Sequence, residues 1–217
     1  MQMQKMWSKR MMLVMMAFIV ALGVFAQKKT RIATMYPENK TATVSLKDGK
    51  KLKVPNANVF LKNSSLVYFQ GSTMKEANID LILSVEFDDR KFVNIDNHLA
   101  YFVDSIKGNS LYCIEVIDID SYERNLRNNS SYTYIDLSGN RLDTANNDMN
   151  TEEDYEYPVS RKYYYFLDGK FVQAHDRELY LVLDKERYRI VKTVAHVTDF
   201  VWTDPANLMH LLDLISK

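Results

Sequence analysis

Asp118, Asp120 and Glu123 cluster just beyond an apolar run, at a junction that reads as strand passing into helix. Two carboxylates facing one sugar across roughly 5–10 Å are what glycoside hydrolysis requires, one as acid and one as nucleophile or base. The plainer role for an aspartate at this point is to cap the helix that follows. Tyrosines carry a second possibility. Tyr132 and Tyr134 alternate, as do Tyr163 and Tyr165, and in a strand each pair projects to one face of the sheet. Such rings stack on sugars or anchor a protein partner when exposed, and pack across strands when covered.

Other reactive residue types are scattered. His98, His175, His196 and His210 fall in four segments, and no two share a spacing that would set both imidazoles on one helix face. With no H-E-x-x-H and no cysteine partner, a zinc site is not expected. Asp143, Asn146, Asp148, Glu152 and Asp154 supply oxygen ligands for calcium, but lack the mid-loop glycine and terminal glutamate of an EF-hand. Cys113 is the single cysteine and lies in the apolar run Leu111-Tyr112-Cys113-Ile114, so it reads as a buried structural thiol. No G-x-S-x-G, P-loop or dinucleotide fingerprint occurs, and six glycines are too few to build phosphate-cradling loops. No catalytic residue, metal or cofactor is assigned.

The segment 1–26 has the three parts of a secretory signal. Lys5, Lys9 and Arg10 precede an uncharged apolar run, Met11 to Phe25, which ends at Val24-Phe25-Ala26 before polar Gln27. The run is shorter than the ~20 residues a helix needs to span a bilayer. Cleavage between Ala26 and Gln27 is therefore expected, with an exported product, periplasmic or secreted, and no permanent span. Removing Lys5, Lys9 and Arg10 from 28 basic residues leaves 25 against 28 acidic ones, a net charge of −3. That balance gives no support for nucleic acid as a partner. One cysteine also excludes an internal disulfide, so the mature chain must rely on its apolar core.

Fourteen tyrosines in an otherwise ordinary composition point to β-sheet. The pattern predicts an α+β fold, mostly antiparallel β, in a β-rich region 27–137. Thr41 to Lys47 alternates apolar and polar residues, Asp48-Gly49 turns the chain, and Lys51 to Val54 returns before Pro55, which ends the pairing or makes a bulge. Val59 to Leu61, Leu66 to Phe69 and Met74 to Asn78 continue, and Ile79, Ile82, Val85 and Phe87 read as a helical turn entering a strand. A second block, 91–137, holds strands at Phe92–Ile95, Leu99–Val103, Leu111–Ile119 and Tyr132–Leu137, with helical turns at Ser121–Asn129. Residues 138–160 read as a mobile acidic loop with little to bury. The last unit, 161–217, opens with a hairpin at Asp168-Gly169. Two helices follow, one carrying Ile190, Val191, Val194, Val197 and Val201, the other starting at Asp204-Pro205 and burying Leu208, Leu211, Leu212 and Ile215.

Two resemblances follow from these residues. Val44-x-Leu46-x-Asp48-Gly49, Leu66-x-Tyr68 and Ile79-x-x-Ile82-x-x-Val85-x-Phe87 make 41–90 resemble a small SH3-like or Sm-like barrel, without counterparts of the RNA-binding residues of the Sm family. Phe25-Ala26-Gln27, Asp48-Gly49 and Asn207-Leu208-x-x-Leu211-Leu212 make the whole chain similar to exported proteins of Bacteroidota. That resemblance implies a location, and O-glycosylation at Asp-Ser/Thr followed by an aliphatic residue or alanine. Asp104-Ser105-Ile106 and Asp143-Thr144-Ala145 match, through Ser105 and Thr144.

The reading as a whole is an exported, non-enzymatic protein that binds an envelope protein or otherwise associates with the envelope. The alternative is a carbohydrate-binding or carbohydrate-acting protein using Tyr132, Tyr134, Tyr163, Tyr165, Asp118 and Asp120. Intact mass spectrometry of the natural product should find a chain beginning at Gln27; Met1 retained in a soluble intracellular fraction would overturn the export reading.

Overall fold

The computed structural model describes residues 31–71, 73–128, 135–136, 158–196 and 199–216. Twelve strands run in chain order: β1 Arg31–Ile32, β2 Lys40–Leu46, β3 Lys51–Phe60, β4 Ser65–Gln70, β5 Thr73–Glu76, β6 Ile82–Glu86, β7 Lys91–Ile95, β8 His98–Ile106, β9 Asn109–Ile117, β10 Ile135–Asp136, β11 Val159–Leu167 and β12 Lys170–Gln173. A 3-10 turn, Ile79–Leu81, precedes β6. The helices are α1 Ile119–Asn128, α2 Asp176–Val182, α3 Lys185–Ala195 and α4 Pro205–Ile215.

Ten strands form one antiparallel sheet in the order β12-β11-β9-β8-β7-β6-β2-β3-β4-β5, while β1 and β10 pair separately in parallel. The expected β blocks 41–90 and 91–137 thus contribute to a continuous sheet, joined where β6 pairs with β7. Turn chemistry accounts for the tight hairpins. Lys107-Gly108 and Asp168-Gly169 both adopt positive φ at two successive positions, the conformation whose twist matches flanking strands. Pro55 sits inside β3, where a register shift opposite Lys40 to Ala42 and a positive φ at Asn56 mark a bulge.

One row of cross-strand neighbours runs through seven strands: Leu52, Val44, Val85, Phe92, Tyr101, Cys113 and Tyr163. On its β2 side lies a core of Val44, Val59, Leu66, Ile82, Val85, Phe87, Phe92 and Leu99. On its β11 side lies a second core, in which Leu111, Cys113, Tyr163, Tyr165, Leu167 and Val172 meet Leu179, Val191, Leu208, Leu211, Leu212 and Ile215. Tyr101 packs against both cores. Phe87, Phe92 and Tyr101 contact edge to face, at centroid distances of 5.7 and 6.2 Å.

Polar groups fasten the ends. The fully buried Asn58 amide accepts from the Tyr36 N–H at 3.1 Å and donates to the Tyr36 carbonyl at 3.0 Å, which holds residues 35–39 against the sheet. The Tyr165 hydroxyl donates to the Leu208 carbonyl at 2.8 Å and ties α4 to β11. Asn109 donates to Ser216 Oγ at 2.9 Å, just beyond α4.

The C-terminal region departs from the two-helix expectation. Three helices follow β12, because Leu183 adopts an extended backbone and Asp184 then caps a fresh helix by accepting from the Arg187 N–H. The helix expected to carry Ile190 through Val201 ends at Ala195; Val201 is half exposed beyond it, and Val197 lies outside the described residues. The strand expected to reach Ile119 stops at Ile117, since α1 already begins at Ile119. Of Tyr132–Leu137 only Ile135–Asp136 is described, and of the acidic loop only 158–160, with Val159 and Ser160 already in β11. Among the described residues no helix is long and apolar enough to cross a membrane.

Truncating Phe92 to alanine removes a fully buried ring from the shared row and should cost about 3–5 kcal/mol. Tyr165→Phe loses one hydrogen bond and should cost about 1 kcal/mol. Urea unfolding checks both, and equal losses would contradict the weight given to the row.

Candidate functional site

Alternation along β11 decides what the tyrosines can do. Tyr163 and Tyr165 do share a face, but α2, α3 and α4 cover it: the two residues are 4% and 0% exposed. Neither ring is presented to a ligand. Tyr132, Tyr134, Thr144, Ala26 and Gln27 lie outside the described residues. The residues one step out of phase, Tyr164 and Phe166, project to the opposite face.

That opposite face carries an aromatic stripe across four strands. Phe102 on β8 meets Tyr112 on β9 at 5.8 Å, Tyr112 meets Phe171 on β12 at 5.5 Å, and Phe171 meets Phe166 on β11 at 5.0 Å. Phe102 and Phe171 are 42% and 40% exposed, so the stripe ends in accessible rings on both sides. Beside it, on the same face, Ile95, Ala100 and Ile114 are buried, with Val93, Tyr112, Val116 and Tyr164 packed on them. The stripe is therefore continuous with a buried apolar cluster on the same face of the sheet. The first two contacts are close to perpendicular, at 75° and 76°. Neighbouring rings thus do not form one flat platform.

Of the carboxylates weighed for a sugar ligand, Asp118 has another duty. Asp118 accepts from the Ser121 backbone N–H at 3.0 Å and from its hydroxyl at 2.7 Å, while its own carbonyl accepts from the Tyr122 N–H. Asp118 is thus the cap of α1. These bonds hold its carboxyl below the usual carboxylate range, with the Ser121 hydroxyl the largest cause. Asp120 is exposed in the first turn of α1. Ser105 is exposed near the end of β8, where its N–H donates to Asp104 at 2.7 Å.

A polar cluster marks the seam between the cores. Cys113 sits between Tyr101 and Tyr163 in adjacent strands, and its thiol donates to the Ile114 carbonyl at 3.7 Å. Next along β9 and β11, Arg161 Nε pairs with Glu115 at 2.7 Å, and the Arg90 guanidinium lies 4.9 Å from the Tyr101 ring centroid. Burial pushes the Cys113 thiol up and the Tyr101 hydroxyl well up; it carries Tyr163 to about 12. All three groups are protonated at neutral pH, so the cluster offers no thiolate nucleophile. The histidines are dispersed: His98 contacts the Asp96 carbonyl, His175 precedes α2 against Trp202, His196 ends α3 and His210 lies on α4. Among the described residues no group of three His, Cys, Asp or Glu side chains is set to hold a metal.

The aromatic stripe was missed in the sequence because both faces of Tyr163-Tyr164-Tyr165-Phe166-Leu167 are apolar. The signal that could have found it is Phe171, which pairs with Phe166 across the Asp168-Gly169 turn and is followed by core-facing Val172. Compared with protein-family models, with curated proteins and with solved structures, the chain finds no match.

Two measurements check the seam. Cys113 should resist a disulfide reagent in the native protein and react fully on unfolding. Tyr163 has its hydroxyl raised from 10.0 to about 12, so its contribution to stability is complete below pH 10 and is lost as pH rises through 12. Phenolate absorbance should accordingly lag the unfolded protein across that window; coincident titration would refute the burial argument.

Proposed function

We propose that the protein is exported to the periplasm or beyond and acts there as a binding protein, engaging a protein partner through the Phe102–Tyr112–Phe171–Phe166 stripe. The observation that carries this reading is an ordered, accessible row of aromatic rings on a sheet face whose opposite face is already filled. Large rings on rigid strands supply contact area at small entropic cost, the character of residues that dominate protein interfaces. Export is supported by the basic start and apolar run of 1–26. The small-barrel likeness of 41–90 is supported by the spatial order β6-β2-β3-β4-β5 and by the 3-10 turn entering β6.

The perpendicular ring contacts favour apolar side chains over sugars as the occupant. A polysaccharide stacks on ring faces turned outward together, whereas here alternate rings present an edge. The capping role of Asp118 likewise draws one of the two carboxylates away from a catalytic pair.

Substituting both exposed rings, Phe102→Ser with Phe171→Ser, leaves the buried cluster intact. Affinity capture from native envelopes should recover a saturable protein partner with the parent chain, and the double variant should lose it by at least about tenfold. Glycan-array binding abolished by the same two substitutions, with no protein recovered, would overturn the reading in favour of a carbohydrate ligand.

A further inference from the structure

We propose that the hairpin between β2 and β3, with the 3-10 turn beside it, docks the protein on an anionic lipid surface. Lys47, Lys50, Lys51 and Lys53 are all exposed on this hairpin. Asp48, paired with Lys50 at 2.9 Å, and Asp80 in the 3-10 turn are the acidic residues among them, so the patch is net positive in a chain of balanced charge. Among the described residues no carboxylate pairs with Lys47, Lys51 or Lys53.

Apolar side chains stand within this charge. The Lys47 N–H donates to the Leu81 carbonyl at 2.9 Å, which seats Leu81 against the hairpin. In β6 the register shifts between Ser45 and Leu46, so Leu83 is an extra residue at a bulge, thrown outward beside the Ser45–Lys51 pair. Leu81 and Leu83 are 57% and 55% exposed, while Ile82 between them is 2% exposed and fills the core. Two outward leucines ringed by lysines match a bilayer surface: the ammonium groups meet anionic headgroups and the leucines enter the acyl boundary. Lysine stems, which are themselves apolar, lie along that boundary with their charges in water. A soluble acidic polymer would use the lysines and leave the leucines without a role.

The test uses the full chain carrying L83C with an environment-sensitive nitrobenzoxadiazole label on that thiol, Cys113 being buried. The label reports this surface alone, whatever the run Met11 to Phe25 does. Its emission should shift to the blue with vesicles containing phosphatidylglycerol, stay unchanged with pure phosphatidylcholine, and revert at high salt. Adding K51E/K53E should weaken the apparent affinity by at least about tenfold. Adding L81S should remove the part of the shift that persists at intermediate salt. Far-UV circular dichroism should be unaltered in each variant, since every substituted position is exposed. No shift with anionic vesicles, an equal shift with neutral ones, or insensitivity to K51E/K53E overturns the proposal. So does lysine-dependent binding to dextran sulfate alone, indifferent to L81S.

Discussion

The row that joins Val85, Phe92, Tyr101, Cys113 and Tyr163 is the constraint on which the rest of the molecule depends. A sheet of ten strands whose two ends build separate cores would bend or split at the middle unless something filled the joint. Phe92 and Tyr101 do so, one ring buried in the first core and the next shared between both. Cys113 then takes a position with room for a small, weakly polar side chain between two phenols. Its burial and its neighbours follow from packing, and its lack of reactivity follows from the burial. With the joint rigid, the two faces of the sheet can be assigned separate tasks.

One face accepts the helices and the other keeps its aromatic rings. Which face is which cannot be decided within β11, because its alternation is apolar on both sides. The decision is made by Leu208, Leu211, Leu212 and Ile215 of α4 and by Val172, none of them close to β11's tyrosines in sequence except Val172. Binding surfaces placed on strands hold their side chains more precisely than surfaces on loops, and the stripe inherits that precision from the backbone register of β8, β9, β11 and β12.

Much of the fold was legible where local chemistry leaves few choices. Asp48-Gly49 and Asp168-Gly169 turn the chain as their residue types require, the 3-10 turn precedes β6, and Asp204 caps α4 by accepting from the Ala206 and Asn207 N–H groups. What sequence reasoning misassigned depends on tertiary or competing local contacts. The carboxylate at 118 reads as one of a catalytic pair until Ser121 is seen to bond it twice. The periodicity from Ile190 to Val201 reads as one helix, yet the helix that begins after Asp184 and carries Ile190 ends at Ala195. Tyr163 and Tyr165 share a face as their alternation requires, and of their two readings, exposed platform or covered packing, the helices that lie far along the chain impose the second.

The bonds that close the second core also span great distances along the chain: Lys107 meets Asp213 and Asn109 meets Ser216. Until residues 205–216 have been synthesised, Leu111, Tyr165 and Leu167 face water, and the nascent polypeptide exposes a sticky half-sheet. Folding of the second core is in that sense deferred until its last helix is available.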